Sequence, residues 1–189
     1  VPSVDPVPAQ TPRPLLDDLP GGREARAALV VAHPGHELRV HGWLQRVRPM
    51  VFVLTDGSGG TAQSRVASSR RLLGALGAAE GGIFGRLTDR DLYAAVIRQD
   101  AALFIGLARE LSAAFVRSGR DVVVCDAREG YNSAHDLCWF VVEAAVALAS
   151  RTRGRAIACF DFPLMAHPDG PLVEGEGTVR LTLDAEALA

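Results

Sequence analysis

Five histidines occur in the 189 residues, and three of them can act together. His33 and His36 stand in Ala32-His33-Pro34-Gly35-His36-Glu37, directly after the apolar run Ala28 to Val31. His135 stands about a hundred residues on, in Gly130-Tyr131-Asn132-Ser133-Ala134-His135-Asp136, again after a strand-like apolar run. Neutral imidazole is the commonest protein ligand for metals. Three imidazoles plus a water form a known catalytic zinc arrangement, open at the fourth position. The expectation is therefore one divalent metal on His33, His36 and His135. Zinc is placed first, and iron and copper also suit three neutral nitrogens. With no anionic ligand the metal keeps its full charge, which makes a bound water more acidic. His36 is expected at a helix N-terminus, whose partial positive charge disfavours imidazolium. His41 lies further along that helix, on its surface or at a substrate rim. His167, in Met165-Ala166-His167-Pro168-Asp169-Gly170, reads as a turn residue.

The elements that position these histidines alternate. Ala28–Ala32 is a continuous apolar run of strand length, as in strands buried on both faces of a parallel sheet. Residues 37–47 read as helix, with Leu38, Val40, Trp43, Leu44 and Val47 available for a buried face. Met50–Leu54 is the second strand and runs into the turn Thr55-Asp56-Gly57-Ser58-Gly59-Gly60. Residues 64–76 form a basic-faced helix that stops at Gly77, a plausible C-cap. Gly82–Phe84 is a short third strand. Residues 89–116 are helical, as one helix or two. Asp121–Cys125 is the fourth strand, and 135–149 reads as a helix buried on most sides. Residues 156–160 and 179–183 are the last strands.

Strand and helix in repeated alternation predict an α/β fold: a Rossmann-like, doubly wound, mostly parallel sheet with helices on both faces. In such sheets ligands sit beyond the carboxyl ends of the strands, where strand order reverses. In the order 3-2-1-4-5, strands one and four are neighbours at that reversal. The loop of His33 and His36 follows strand one and the loop carrying His135 follows strand four, so the topology alone predicts that they converge.

Composition limits the alternatives. At 48% hydrophobic, 22% charged and a net charge of −2, the chain is ordinary globular material. The charge gives no support to nucleic-acid or anionic-membrane binding. Residues 1–27 read as a tail or linker, with prolines at 2, 6, 8, 12, 14 and 20. Residues 28–189 read as a single domain, large enough to bury roughly 70% of its unfolded surface. Cys125, Cys138 and Cys159 form no C-x-x-C, which points to free thiols in a reducing cytoplasm. No uninterrupted apolar run reaches membrane-spanning length, and no signal peptide is visible. The expected partner is a small molecule, with no nucleic acid and no membrane; homo-oligomerisation stays open.

The chain resembles the PIG-L/LmbE-like N-acetylglucosaminyl deacetylase family between about Ala28 and Ala149. That family's opening motif, A-H-P-D-D-E after strand one, corresponds to Ala32-His33-Pro34-Gly35-His36-Glu37. Its T-x-G-x-x-G turn after strand two corresponds to Thr55-Asp56-Gly57-Ser58-Gly59-Gly60. An arginine-led helix ending in L-G corresponds to Arg65 through Leu76-Gly77. Its H-P-D-H after strand four is matched by Asn132-Ser133-Ala134-His135. The resemblance implies a Rossmann-like fold and a zinc-dependent removal of acyl groups from amino sugars and related amides. It gives His33 and His135 as ligands and Arg65 as a substrate contact, unless Arg65 is only a solvated helix charge. Asp56 lines the pocket or merely makes the turn.

The departures are as informative as the matches. His36 replaces the family's aspartate ligand. Gly35 replaces its general base, and Asn132 replaces the histidine that assists at the oxyanion. A relocated base is then expected among Asp126, Glu37 and Asp136. Asp126 comes first because it ends strand four and faces the ligand crevice. Glu37 has the alternative of capping the helix start. If Asp126 is the base, Asp126→Asn lowers turnover and leaves metal affinity nearly intact. Asn132 is suited to donate to a developing oxyanion. Two readings follow: a metal-dependent amidohydrolase of the deacetylase type, or a non-hydrolytic metal-binding descendant, including an iron-dependent enzyme.

Overall fold

The computed structural model describes residues 25–61, 63–165 and 179. Its strands are β1 (Ala27–Val31), β2 (Met50–Thr55), β3 (Ala79–Leu87), β4 (Val122–Asp126) and β5 (Ala158–Phe162). Its α-helices are α1 (His41–Val47), α2 (Val66–Leu76), α3 (Asp89–Ile97), α4 (Ala101–Arg117) and α5 (Ser133–Arg153). The strands form one sheet in the order β3-β2-β1-β4-β5, every neighbouring pair parallel. This is the doubly wound α/β architecture, with β1 and β4 side by side at the reversal of strand order.

The apolar runs become strands because the sheet buries them on both faces. Every residue of β1 and β4 is buried. Alternate residues feed two cores. Val30, Phe52, Leu54, Val123 and Cys125 meet α4 and α5 on one face. Leu29, Val31, Val51, Val53 and Val122 meet Trp43, Leu44 and Leu73 on the other.

Several elements differ from the sequence expectation. Residues 36–40 form a 3-10 turn, and the α-helix starts only at His41. Gly35 stands at φ 105°, and i→i+3 hydrogen bonds from His36 N–H and Leu38 N–H wind the segment tightly. Leu38 is consequently exposed, and the buried face begins with Trp43 and Leu44. β3 is longer than three residues because its glycines serve packing. A Cβ at Gly81 would come within 2.3 Å of the Phe52 ring, and Gly85, at φ 67°, lies against Val66. Of the two alternatives for the helical stretch after β3, the structure has two helices, interrupted at Gln99 with φ 55°. α5 is longer than expected and buried on one side only: Phe140 and Leu148 face outward. The three cysteines are free thiols, Cys125 and Cys138 buried and Cys159 half-buried. His167 and most of the expected strand 179–183 lie outside the described residues, as does the chain before residue 25. Val179 itself packs on the second core.

Candidate functional site

The site is built where four strands end. Beyond β1 the chain turns at His33, and β1 is held to both neighbours there by Ala32. The Ala32 N–H donates to Asp126 Oδ2 at the end of β4, at 2.8 Å. The Ala32 carbonyl accepts from the Thr55 N–H at 2.9 Å and the Thr55 hydroxyl at 3.0 Å, at the end of β2. β3 delivers Asp89, the first residue of α3, where Thr88 and Asp91 form a capping box.

These strand-end groups grip two of the three histidines. His33 Nδ1 lies 2.9 Å from Asp89 Oδ1 and 2.7 Å from Thr55 Oγ1. His36 Nδ1 lies 2.8 Å from Asp126 Oδ2. An ionised carboxylate only accepts hydrogen bonds. Each ring must therefore carry its proton on Nδ1, which leaves the Nε2 lone pair as the free donor. Carboxylate-oriented imidazoles of this kind are the usual support of metal-ligating histidines. His135 brings the third ring from the first turn of α5. The ring centroids are 5.2 Å apart for His33–His36, 5.3 Å for His33–His135 and 4.6 Å for His36–His135. Three rings around a tetrahedral ion at about 2.0–2.1 Å have centroids about 5 Å apart, so the spacing fits. As the side chains stand, no group of three or more His, Cys, Asp or Glu among the described residues is placed to hold a metal ion.

Burial favours the neutral form of two of the rings, His33 and His135. Burial lowers the His33 pKa, and the neighbouring Asp89 only partly offsets this. Burial also lowers His135, with the nearby His36 acting in the same direction. Burial pushes the Asp89 carboxyl up, but hydrogen bonds from Thr55 and the Gly59 N–H, with the His33 ring, hold it below the usual range. One oxygen of this constellation has no partner. Asp126 is fully buried, and its Oδ1 makes no hydrogen bond among the described residues.

The other expected site residues are placed as follows. Glu37 is buried beneath the turn. Its Oε2 accepts from the Gly35 N–H at 2.7 Å, and its Oε1 accepts from the Ser69 hydroxyl. Asp136 Oδ1 accepts from the N–H groups of Glu129 and Gly130 and so shapes the loop before α5. Asn132 is the N-cap of α5. Its side-chain oxygen accepts from the Ala134 N–H at 2.8 Å and the Tyr93 hydroxyl at 3.0 Å, which directs its amide NH2 elsewhere. Asp56 caps its own turn through the Ser58 N–H. Arg65 Nε donates to the Gly57 carbonyl at 2.8 Å. Its guanidinium lies 3.6 Å from where a Cβ of residue 35 would stand. Arg65, Gly35, Pro34, Leu38 and Ser68 line a cleft of about 230 Å³. His41 opens α1, half-buried.

The structure thus gathers the three histidines with Asp126, and sets Gly35, Glu37 and Arg65 on the flank of the same turn. Asp89 and Thr55 are the residues that sequence reasoning passed over as ring supports. Thr55 was visible only as the start of a glycine turn. Asp89 carried a faint signal, since Thr88-x-x-Asp91 marks a helix start at the end of a strand, where ligand-facing groups collect. No protein-family model, curated protein or solved structure matches the chain.

Proposed function

We propose that this protein is a metal-dependent hydrolase of the PIG-L/LmbE-like deacetylase type. Its substrate would be an amide, the N-acyl bond of an amino sugar or a related small molecule. The observation that carries the reading is the pair of carboxylates, Asp89 and Asp126, each bonded to Nδ1 of a histidine in a cluster of three. Neutral rings with defined tautomers are what a cation needs, and a core of this size needs no such cluster for its stability. His33, His36 and His135 would hold the metal, with zinc first and iron next. A bound zinc supplies Lewis acidity, polarising an acyl carbonyl and acidifying water.

The chain's own residues supply orientation. Asp89 and Thr55 fix His33, and Asp126 fixes His36. The Asn132 NH2, left over once its oxygen accepts from Tyr93 and Ala134, would donate to an acyl oxygen that gains charge. Arg65 reaches into the cleft beside Gly35 and binds a polar substituent there. A specific observation also favours the second reading, a metal-binding descendant without hydrolysis. Gly35 offers no carboxylate. Glu37 Oε1 and Oε2, Asp126 Oδ2 and Asp136 Oδ1 are already committed to hydrogen bonds within the fold.

Metal analysis of protein purified without added metal is the first test, followed by an amide and ester panel that includes N-acetylglucosamine derivatives. About one equivalent of zinc per chain, lost in His135→Ala, with slow amide hydrolysis supports the hydrolase. Full occupancy with no turnover on any substrate selects the second reading. A folded protein that takes up neither zinc nor iron refutes both.

A further inference from the structure

The polar side chains of the cleft beside the histidine turn are set to donate hydrogen bonds rather than accept them. The cleft runs between Pro34, Gly35 and Leu38 of the turn and Arg65, Ser68 and Leu72 at the start of α2. Two glycines make room for the Arg65 guanidinium. A Cβ at Gly57, where φ is 66°, would come within 2.8 Å of Nε, and one at Gly35, where φ is 105°, would lie 3.6 Å from Nη1. Nε donates to the Gly57 carbonyl at 2.8 Å. Among the described residues Nη1 and Nη2 make no hydrogen bond, and Arg65 forms no ion pair. A guanidinium has no acceptor to offer. Ser68 Oγ accepts from Arg71 Nη2 at 3.0 Å, so its own proton is left to donate. Glu37 borders the cleft from beneath the turn, but its two oxygens are taken by the Gly35 N–H and the Ser69 hydroxyl.

Donors of this kind select a partner that only accepts, and an ionised carboxylate is one. Its two oxygens match the Nη1 and Nη2 edge as a bidentate pair. A sugar hydroxyl, which must also donate, is matched less well. Leu38, 58% exposed, and the half-buried Leu72 wall the same cleft, so the carboxylate should sit on an apolar carbon skeleton. At about 230 Å³ the cleft is below the roughly 300–1,000 Å³ that encloses a whole drug-sized ligand, so it takes one end of a small molecule. We propose that this end is the carboxylate and side chain of an N-acyl amino acid, whose amide is the bond hydrolysed. The inference rests on the hydrolase reading above and narrows its substrate. In such a compound only the α-carbon separates the carboxylate from the amide nitrogen. That suits a guanidinium lying against Gly35, between His33 and His36 in the chain. In the reaction the oxygen and one hydrogen of water join the acyl carbon, the carbon–nitrogen bond breaks, and the other hydrogen goes to the nitrogen. The products are a carboxylic acid and a free amino acid.

The test is a calorimetric titration of the full chain, freed of metal by chelation, with N-acetyl-L-leucine. Saturable binding is expected, weaker by at least about tenfold for N-acetyl-L-leucinamide. Arg65→Gln should lose a similar factor on the acid and should no longer distinguish acid from amide. Leu38→Ser should weaken N-acetyl-L-leucine and leave N-acetylglycine unchanged. Arg65 and Leu38 are both exposed, so the melting curves should stay close to the parent. Absence of saturable binding in the millimolar range, or binding that Arg65→Gln leaves intact, overturns the proposal. So does tighter binding of N-acetylglucosamine 6-phosphate, which gives the cleft to a phosphate. Turnover after zinc is restored separates this inference from the hydrolase reading. Arg65-dependent binding of N-acetyl-L-leucine with no hydrolysis of any amide refutes the hydrolase and keeps the ligand class. Hydrolysis of N-acetylglucosamine derivatives by a chain that does not bind N-acetyl-L-leucine keeps the hydrolase and refutes the ligand class.

Discussion

Asp126→Asn is the most discriminating substitution at the histidine cluster. Asparagine is isosteric, so its oxygen can still accept from the Ala32 N–H and from His36 Nδ1. Two things change. The charge behind the His36 ring disappears, and an NH2 group replaces Oδ1 at a fully buried position with no partner. Losing the group that orients a metal-ligating histidine costs about 10–100-fold in affinity. At about 1.4 kcal/mol per tenfold, that is about 1.4–2.8 kcal/mol. The stranded NH2 adds a folding cost of about 1–3 kcal/mol. Zinc affinity is read by competition against a chromophoric chelator, and stability by denaturant titration of the metal-free protein. Asp89→Asn, acting on the other ring, should cost a similar factor, and the double variant should approach the product. This amends the expectation that Asp126 acts as a free base. In the folded protein that carboxylate is bonded to His36 Nδ1, so under the proposed function it would act by orienting this ring. A folded Asp126→Asn protein whose zinc affinity stays within about twofold of the parent would refute the reasoning.

His36→Asp, which brings in the family's ligand type, should weaken zinc binding by about tenfold or more here, because it sets a second carboxylate beside buried Asp126; adding Asp126→Asn should recover part of the loss in the same chelator assay. Gly35→Asp restores the family's base in composition but forces an aspartate to φ 105°, which costs about 1–3 kcal/mol, so its melting temperature should fall by several degrees even if turnover rises. For Asp121, burial pushes the carboxyl up, but hydrogen bonds from Arg153 and the Arg26 N–H, with the charges of Arg155 and Arg153, leave it below the usual range. A lowered carboxylate pKa stabilises the fold at neutral pH, and the benefit is lost as the pH falls below the usual aspartate range; Asp121→Asn should therefore cost about 1 kcal/mol at pH 7 and converge with the parent in strong acid, by denaturant melts across pH.

The sheet could be read from the chain because its signals are local and strong. Ala28–Ala32, Met50–Leu54 and Asp121–Cys125 are apolar runs with no competing helical period, and their spacing admits few topologies. The meeting of His33, His36 and His135 followed from that topology alone. β3 resisted because Gly81 and Gly85 look like strand breakers until Phe52 and Val66 are seen to need their space. The outer face of α5 resisted because an apolar pattern does not say what covers it. Asp89 resisted because its bond to His33 spans 56 residues and joins two loops that only the finished sheet brings together.

Ala32 supports the site with its backbone alone. Its N–H is bonded to the carboxylate that holds His36, and its carbonyl to the threonine that touches His33. The two ring supports on either side of β1 are therefore joined through the backbone of one residue at the end of the central strand. That amide proton is a natural spectator of the site. Its exchange with solvent deuterium requires the Asp126 contact to open, so its protection should report how often the histidine cluster comes apart. Because β1 is flanked on both sides, that opening should be rare and close to the cooperative unfolding of the sheet itself. A side-chain cluster that would be mobile on an ordinary loop thus inherits the rigidity of the innermost strand.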